Sequence, residues 1–334
     1  MTERFGTLQD LIDQASSLGT IRVAVVDAAQ SLVIETLREA HALGIVDPLL
    51  IGDPAAIEGA CRELNWPVHD DWIVPARSDP AAAAKAVELV RAGEADAVMK
   101  GNIHTDALMH ALLDKERGLR LPGRRVSHVF VAEVSRHPKL LGITDAAINI
   151  APDLNAKAQI LQNAVELFQL LGVETPKVAV LSAVETVNPS ISSTLDAACL
   201  TLMARRGQIG GALVDGPLAF DNAISAKAAK EKGIISEVAG DADIVLVPDL
   251  VSGNILAKNL EYLAGAVAAG VVVGLATPVV LSSRADPPAA RLAGLVLASL
   301  MHHRSAKLPA KAAAPETSLS CAPQPEHACC PLPG

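Results

Sequence analysis

Short apolar stretches alternate with longer amphipathic segments along most of the chain. The apolar stretches predict buried strands at residues 21–26, 48–51, 72–74, 95–99, 125–131, 146–150, 177–181, 211–214, 244–247 and 277–281. Apolar residues spaced three and four positions apart predict intervening helices, among them 32–43, 82–90, 154–171, 192–203 and 254–268. This alternation indicates an α/β fold with a mostly parallel sheet.

Residues 263–281 carry no charge over 19 positions, which is long enough to cross a bilayer. Gly265, Gly270, Gly274 and Pro278 interrupt the stretch at spacings that fit the end of a buried helix, a turn and a core strand. We therefore expect no membrane span and no association with a membrane.

Composition narrows the class of protein further. The chain has 334 residues, of which 50% are hydrophobic, so two domains with sizeable cores are expected. The net charge of −9 argues against nucleic-acid binding through a basic surface. Five Cys residues do not make a disulfide scaffold at this length, and the N-terminus has no apolar signal segment. We expect a cytoplasmic protein.

The C-terminal segment differs from the rest of the chain. Ala, Pro and Ser dominate residues 305–334 and no apolar period persists, which predicts a disordered tail. Cys321, His327, Cys329 and Cys330 lie in this segment. They lack a paired C-x-x-C spacing, so incidental thiols are favoured over a metal site.

Polar residues that follow a predicted strand are candidates for a site, because ligands of open α/β sheets bind beyond the carboxyl ends of the strands. Lys100, Gly101, Asn102 and Thr105 follow the strand at 95–99 and lead into a helix. A glycine that allows close approach of free N–H groups, beside a positive charge, fits an anion cradle. An ordinary loop with Thr105 as the helix cap is the alternative.

A second corner, after the last predicted strand, combines Ser283, Arg284 and Asp286. An Arg side chain can bind phosphate through two hydrogen bonds, and a Ser hydroxyl can donate to a developing oxyanion. Asp286 has two candidate roles, proton acceptor and helix N-cap, because it directly precedes Pro287. A capping carboxylate would be a weakened base, since backbone hydrogen bonds stabilise its charged form.

Three further groups of polar residues lie at the ends of predicted strands. They are Asp215, Asp221 and Asn222 after 211–214; Ser182, Glu185 and Asn188 after 177–181; and Arg117, Arg120, Arg124 and Arg125 before Ser127 and His128. Asp221 or Asn222 also fits a helix cap. The four Arg residues would attract an anionic ligand or form a solvated face. The P-loop, G-x-G-x-x-G, G-x-S-x-G and H-E-x-x-H signatures are absent from the sequence.

Taken together, these corners resemble the phosphate acetyltransferase/phosphate butyryltransferase family. The resemblance runs in order from about residue 20 to 300, through stretches such as VMKGNIHTDALMHALL, RRVSHVFV, ITDAAINIAPDLNAKAQILQNAV, PKVAVLSAVETVNP, RGQIGGALVDGPLAFDNAIS and PVVLSSRAD. It is strongest to the short, single-module members and to the acyltransferase half of fusions with an enoyl-CoA hydratase domain.

The resemblance implies a two-domain fold like that of isocitrate/isopropylmalate dehydrogenases, with mostly parallel sheets and helices on both faces. One domain would combine 1–148 with 272–304, and the other would span 149–271. The implied reaction is reversible transfer of a short acyl group, acetyl first and butyryl second, between coenzyme A and inorganic phosphate in a ternary complex. The implied assembly is a homodimer or higher homo-oligomer, and no cofactor is implied beyond coenzyme A as substrate.

Carried over residue by residue, the resemblance makes Ser283, Arg284 and Asp286 catalytic. Asp286 lies closer to the Arg than the acid does in the acetyl-specific branch, which leaves the identity of the base open. The residues implied to bind coenzyme A or phosphate are Lys100, Gly101, Asn102, Thr105, Ser127, Ser182, Asn188, Asp215, Asp221 and Asn222, with no metal ligand among them.

Two other hypotheses stay open on the sequence alone. One is a metal- and NAD-dependent decarboxylating dehydrogenase on the same fold, for which Asp215 and Asp221 are the tempting metal ligands. The other is a non-catalytic sensor of coenzyme A or acyl phosphate, which loss of Ser283 and Arg284 would have favoured; both residues are present.

Overall fold

A computed structural model describes residues 6–283 and 286–305. The helices are α1 (Leu8–Ser16), α2 (Ser31–Ala42), α3 (Pro54–Glu63), α4 (Asp79–Arg91), α5 (Thr105–Leu112), α6 (Leu154–Leu170), α7 (Ser192–Arg205), α8 (Phe220–Ile224), α9 (Ala226–Glu231), α10 (Leu250–Ala264) and α11 (Pro288–Arg304). The strands are β1 (Ile21–Val26), β2 (Val46–Gly52), β3 (Ile73–Pro75), β4 (Ala97–Lys100), β5 (Ser127–Glu133), β6 (Leu141–Thr144), β7 (Lys177–Leu181), β8 (Leu213–Leu218), β9 (Ile244–Leu246), β10 (Val267–Val273) and β11 (Val279–Val280).

These strands form one sheet in the order β3-β2-β1-β4-β11-β10-β5-β6-β9-β7-β8. The block from β3 to β11 is parallel throughout, and so is the block from β6 to β8. Between the blocks, the pairings of β11 with β10, β10 with β5 and β5 with β6 are all antiparallel. Three reversals in a row make the two parallel blocks run in opposite directions.

The carboxyl ends of the two blocks meet at the middle of β10 and β5. At the end of β11, Val280 pairs with Val271 of β10, which pairs in turn with Val129 of β5. At the end of β6, Thr144 pairs with the same Val129. Residues that follow strands of both blocks are therefore brought to one level of the sheet from opposite sides.

The two faces of the sheet are covered differently. One face carries a continuous hydrophobic cluster that extends from Ile21 of β1 to Val178 of β7 and includes the apolar side of α11. On the other face the core is divided into two clusters, which part along β10, where Val272 belongs to one and Ala268 to the other. Gly270 lies between these two residues on the same face and adds no side chain. The divided face thus leaves an opening where the carboxyl ends of the blocks meet.

The predicted α/β sheet is confirmed, and β1 and β7 have the predicted bounds. The predicted strand at 146–150 is wrong, because the chain bends there, just after the unpredicted strand β6. The predicted helix at 254–268 ends at Ala264, where Gly265 takes a left-handed φ of 64°, and the unpredicted strand β10 follows. Apolar periodicity does not separate a buried strand from the end of a buried helix.

Gly101 packs closely against the end of β1. A Cβ atom at this position would lie 2.2 Å from the carbonyl oxygen of Asp27 and 2.6 Å from that of Val26. The amide of Gly101 donates to the Val26 oxygen, and the amide of Asn102 donates to the Asp27 oxygen. These two N–H groups fasten the end of β4 to the end of β1, and a role for Gly101 and Asn102 in binding coenzyme A or phosphate stays a prediction.

Some expectations lie beyond what the structure describes. Arg284 and residues 306–334, which make up nearly all of the expected tail, lie outside the described residues. The division into a domain of 1–148 with 272–304 and a domain of 149–271 stays a prediction. Among the helices of the described residues, none combines the length and apolar character needed to cross a membrane.

We expect Gly101→Ala to lower the free energy of unfolding by about 1–3 kcal/mol, because the added methyl group has to displace packed backbone. The matched control is Gly59→Ala in α3, where nothing lies within 4 Å of the new methyl group. That change should raise the free energy of unfolding by about 0.5–1 kcal/mol. Urea unfolding followed by circular dichroism measures both, and equal stabilities of the two variants would contradict the packing argument.

Candidate active site

A pocket of about 460 Å³ occupies the opening on the divided face of the sheet. It brings together four of the residues singled out in the sequence: Lys100, Thr105, Ser283 and Asp286. The other lining residues are Ile103, His104, His128, Phe130, Ala146, Ala147, Leu250, Asn254, Lys258, Leu281 and Ser282. The lining combines cationic and hydroxyl groups with an apolar part, as a site for a small anion with a short apolar group would require.

Lys100 enters the pocket from the carboxyl end of β4. It is only 4% exposed, and its Nζ lies 3.4 Å from the carbonyl oxygen of Gly101. Thr105 is the first residue of α5, and the cap position before it is held by His104 without a side-chain hydrogen bond. Thr105 is therefore not a helix cap, and its position at a helix N-terminus adds a partial positive charge to the same wall of the pocket.

Asp286 holds the loop that follows β11, and it does not cap a helix. α11 begins at Pro288, and its cap position, Pro287, offers no side-chain hydrogen bond. The Oδ2 atom of Asp286 accepts a hydrogen bond of 2.6 Å from the backbone amide of Ser283. The capping role that the sequence left open for Asp286 is wrong. Its carboxylate accepts a hydrogen bond from the amide of Ser283, three residues earlier in the chain, and the cap position of α11 is Pro287.

Arg291 of α11 supports the same loop from below. Its guanidinium is 1% exposed and donates to the carbonyl oxygen of Ser283 at 3.0 Å and to that of Asp286 at 3.2 Å. Burial lowers the pKa of Arg291, while the charge of Asp286 raises it. Arg291 thus fixes the backbone on either side of Arg284.

Lys258 lines the pocket from α10, whereas Lys100 lines it from β4. Its Nζ lies 3.6 Å from Oδ1 of Asp286 and 2.6 Å from Oε2 of Glu261. Burial lowers the pKa of Lys258, but the hydrogen bond to Glu261 and the charges of Glu261 and Asp286 outweigh it, and the net pKa is raised. Lys258 is therefore a cation at neutral pH, and two lysines from different elements face the same space.

His128 is a pocket residue that the sequence did not single out as a ligand. It lies on β5 with its side chain on the divided face and is fully buried. Within the described part of the chain, neither ring nitrogen has a hydrogen-bond partner. The available signal was a titratable residue inside an otherwise apolar strand. Lys258 and Asn254 gave no comparable signal, because polar residues are ordinary on a helix.

A second pocket of about 420 Å³ is lined in part by residues that follow those of the first in the sequence. It is lined by Leu113, Arg120, Gly123, Arg124, Arg125, Val126, Ile148, Asn149 and Gln159. In the sequence, Ala147 of the first pocket is followed by Ile148 and Asn149 of the second. Arg125 donates to Asn149 at 3.1 Å, and Arg124 pairs with Glu166. Three of the four Arg residues noted in the sequence thus line the second pocket.

Ser127 has a structural position rather than one in either pocket. It is fully buried at the start of β5, and its Oγ accepts a hydrogen bond of 2.9 Å from Asn163. Asn163 also donates to the carbonyl oxygen of Arg125. The pair fixes the segment that leads from the Arg residues into His128.

The remaining predicted binding residues follow β7, lie within β8 or follow β8, and they do not line the first pocket. These strands lie two and three places beyond β6, which puts their ends about 10 and 14 Å further along the sheet. The hydroxyl groups of Ser182 and Ser193 are 2.8 Å apart, and Asn188 accepts from the amide of Ser190. Asp215 accepts from the amide of Gly216. Each of these side chains has a local partner.

Asp221 and Asn222 lie in α8, which begins at Phe220, so neither is a helix cap. Asp221 is exposed and pairs with Lys232 at 3.3 Å. Asn222 is fully buried and donates to Glu185 at 3.4 Å. Across the described residues, no group of three or more His, Cys, Asp or Glu side chains is placed to hold a metal ion.

Comparison with proteins of known sequence adds to this geometry. The sequence is 48% identical to a phosphate acetyltransferase of Rickettsia felis over 90% of this chain and 86% of that protein. It is 43% identical to a phosphate butyryltransferase of Clostridium acetobutylicum over 88% of this chain and 98% of that protein.

The structure is similar to that of a branched-chain phosphotransacylase from Enterococcus faecalis, with a TM-score of 0.74 and 33% identity over 85% of this chain and 99% of the other. A 4-hydroxythreonine-4-phosphate dehydrogenase from Klebsiella pneumoniae shares the fold with a TM-score of 0.52 and 14% identity, over 85% and 98% of the two chains. The expected dehydrogenase-like fold is thereby confirmed.

The family sequence pattern described as phosphate acetyl/butaryl transferase matches residues 77–291, a span that includes β4, the Arg residues, β5, both pockets and the loop after β11. The match thus covers well over half of the chain and all of the candidate site. The chain belongs to the phosphate acetyl/butaryl transferase family.

Proposed function

We propose that this chain catalyses the reversible reaction acyl-CoA + phosphate ⇌ acyl phosphate + CoA. Acetyl is the acyl group that we favour as substrate, and butyryl is the next candidate. The observation that carries the proposal is the pocket in which Lys100 and Lys258 face Ser283 and Asp286. The relatives named phosphate acetyltransferase and phosphate butyryltransferase support the same reaction for this chain.

Phosphate would bind among the cations of the pocket. Lys100 and Lys258 line the pocket from different elements, β4 and α10, and their charges would offset the negative charge of phosphate in a partly buried site. Arg284 stands in the sequence between Ser283 and Asp286, both of which line the pocket. We assign it the bidentate contact to phosphate, which a planar guanidinium makes better than an ammonium group. Ile103, Leu250 and Leu281 would hold the short acyl chain.

The chemistry requires no covalent intermediate. In one direction a phosphate oxygen attacks the thioester carbonyl carbon, the carbon–sulfur bond breaks, and the CoA thiolate leaves with its electron pair. In the other, the CoA thiol gives its proton to Asp286, sulfur attacks the acyl phosphate, and the carbon–oxygen bond to phosphate breaks. Both pass through a tetrahedral oxyanion, to which the hydroxyl of Ser283 would donate. Positioning and electrostatic stabilisation then supply most of the acceleration.

The charged part of coenzyme A would occupy the second pocket. Coenzyme A carries several phosphates at a distance from its thiol, and Arg120, Arg124 and Arg125 line this pocket. Ala147 lines the first pocket, and Ile148 and Asn149 line the second, which supports the proposal that one elongated molecule enters both. The groups after β7 and β8, which include Ser182, would contact only the outer part of such a ligand.

Acyl transfer is favoured over the dehydrogenase hypothesis. That hypothesis required Asp215 and Asp221 to converge on a metal ion. Instead, the carboxylate of Asp215 accepts a hydrogen bond from the amide of Gly216, and the carboxylate of Asp221 pairs with Lys232. The sensor hypothesis does not explain why Lys100, Ser283 and Asp286 line the same pocket. We further propose that the reaction takes place in the cytoplasm and needs no cofactor.

We also propose a homodimer in which a second copy covers the outer face of α10. This face exposes Val251, Ile255, Tyr262 and Leu263, each by more than half. Val251, Ile255 and Tyr262 recur at helical spacing and form an apolar stripe beside the face of α10 that carries Asn254 and Lys258 into the pocket, and Leu263 follows at the end of the helix. A second copy would therefore stabilise the helix that supplies one of the two pocket lysines.

The direct test is release of CoA from acetyl-CoA or butyryl-CoA. We expect release to depend on phosphate, to continue in EDTA and to need no NAD. Thiol-specific dye measures the product, and hydroxylamine trapping measures the acyl phosphate formed with it. Activity that requires a divalent metal or NAD would contradict the proposed function.

Arg284→Ala should lower kcat/KM by an amount that corresponds to a loss of at least about 3 kcal/mol of transition-state stabilisation, because a central electrostatic contact is removed. Asp286→Asn should lower kcat by about 100-fold if Asp286 is the base, while its amide oxygen can still accept from Ser283. Steady-state kinetics in both directions measures each effect.

The matched control for Arg284→Ala is Arg120→Ala. Arg120 lines only the second pocket, so its loss should raise KM for acyl-CoA and leave kcat within about threefold, as expected when uniform binding is removed. Wild-type kinetics for Arg284→Ala would refute the assigned site. Wild-type kinetics for Asp286→Asn alone would place the base elsewhere.

The dimer is tested by sedimentation velocity of the wild type and of Ile255→Glu combined with Tyr262→Glu. We expect dimers for the wild type and monomers for the variant, because two buried carboxylates would have no partner in the interface. The control is Leu18→Glu, in the loop between α1 and β1, and this variant should remain dimeric. A monomeric wild type at micromolar concentration would overturn the proposal.

A further inference from the structure

His128 is a buried titratable residue for which the assigned mechanism has no role. It lies at the floor of the first pocket and has no exposed surface. Among the described residues no group forms a hydrogen bond with its Nδ1 or its Nε2. A buried polar group without a partner costs free energy. A ligand atom that pairs with the ring would remove this cost when the pocket is filled.

The position of the ring is set by the sheet. The amide of His128 donates to Oδ2 of Asp145 at 3.2 Å, and its carbonyl oxygen accepts from Oγ1 of Thr144 at 2.8 Å. The ring packs edge-on against Phe130, with 4.4 Å between centroids. These contacts hold the backbone and one side of the ring, so the imidazole is fixed without any hydrogen bond of its own.

Gly270 makes room for the ring of His128. A Cβ atom at Gly270 would lie 2.8 Å from Nε2 of His128 and 3.2 Å from Cε1. In the register of the two strands Gly270 pairs with Phe130, and Val272 pairs with His128. The ring therefore fills the space that a side chain at position 270 would occupy, at the edge of the pocket that His128 lines.

His128 supplies a neutral group in a site rich in charge. Burial lowers the pKa of His128 to about 4, against the opposing effect of Asp145, so the ring is neutral at pH 7. A neutral imidazole has one N–H donor and one acceptor nitrogen. Lys100 and Lys258 are suited to the anionic phosphate, whereas a neutral donor suits the acyl carbonyl, which is uncharged in the ground state and gains negative charge in the transition state.

We propose that the imidazole N–H of His128 donates a hydrogen bond to the acyl carbonyl oxygen of acyl-CoA and acyl phosphate, and so acts with Ser283 on the oxyanion. The inference rests on the proposed acyl-transfer function. The proton stays on the imidazole throughout, and Asp286 remains the group that accepts the thiol proton. His128 is in this respect a catalytic residue, since it touches the reacting carbonyl.

Two substitutions separate the hydrogen bond from the volume of the side chain. His128→Met has similar volume and no N–H, and it should lower kcat by about 100-fold, as loss of an oxyanion donor does. KM for phosphate and for acyl-CoA should change by less than about threefold. His128→Gln keeps an N–H donor at similar reach and should retain kcat within about tenfold of the wild type. His137→Met, at a histidine outside the pocket whose Nε2 is also buried without a partner among the described residues, is the control and should keep wild-type kinetics.

Three outcomes would overturn the inference. One is a folded His128→Met variant with kcat within threefold of the wild type. Another is an equal loss in His128→Gln and His128→Met. The third is the disappearance of a pH limb near neutrality in both variants, since that would indicate proton transfer by the ring. CoA release by the wild type is measured first: its absence overturns the proposed function together with this inference, whereas an active wild type with an unaffected His128→Met overturns this inference alone.

A second measurement decides the question if His128→Met fails to fold. Isotope-edited infrared spectra of acetyl-CoA labelled with ¹³C at the carbonyl report hydrogen bonding to that oxygen directly. Without phosphate the wild type binds the thioester and does not turn it over. We expect the carbonyl band of the bound thioester at lower frequency than in water, and part of that shift to be lost in His128→Gln. A carbonyl band in the wild type at the frequency found in water would overturn the inference.

Discussion

The reversal of strand direction at β10 and β5 is the constraint on which the site depends. Because of this reversal, the parallel block that ends with β11 and the parallel block that begins with β6 point in opposite directions. The three antiparallel pairings bring Val280 and Thr144 to the level of Val129. A single level of the sheet therefore receives polar side chains from both blocks, which neither block could provide by itself.

The same region shows how an opening is kept in a well-packed fold. One face is closed by a continuous core, and that face holds the two blocks together. On the other face the covering helices divide into two clusters on either side of Gly270. Burial of apolar surface on the closed face provides the stability, so the divided face can keep a pocket that Lys100 and His128 line.

Electrostatics completes the account. The chain has a net charge of −9, yet the first pocket contains two lysines and the second three arginines. Carboxylates near these cations have defined partners: Asp286 accepts from Ser283 and lies near Lys258, and Glu166 pairs with Arg124. The local positive field favours anionic substrates inside an acidic protein, and Asp286 keeps one carboxylate beside the reacting atoms.

The sequence predicted the α/β alternation, the corner at Lys100 and the corner at Ser283, because apolar runs and the polar residues after them are local patterns. It missed β10 and β6, since short buried strands next to glycine and helix ends have no distinctive period. It gave Gly101 a role in ligand binding, and it could not show that the carbonyl groups of Val26 and Asp27 also require a glycine there, because that contact exists only in the folded chain. His128 and Lys258 depend on long-range pairing, which no local pattern encodes.

Isotope exchange tests the central claim, direct transfer between CoA and phosphate in one pocket, most directly. The enzyme is incubated with acetyl-CoA and labelled free CoA, first without phosphate and then with it. Direct attack in a ternary complex predicts no label in acetyl-CoA until phosphate is added, because no acyl group is held by the protein itself. Rapid labelling of acetyl-CoA in the complete absence of phosphate would show a covalent acyl-enzyme and contradict the account.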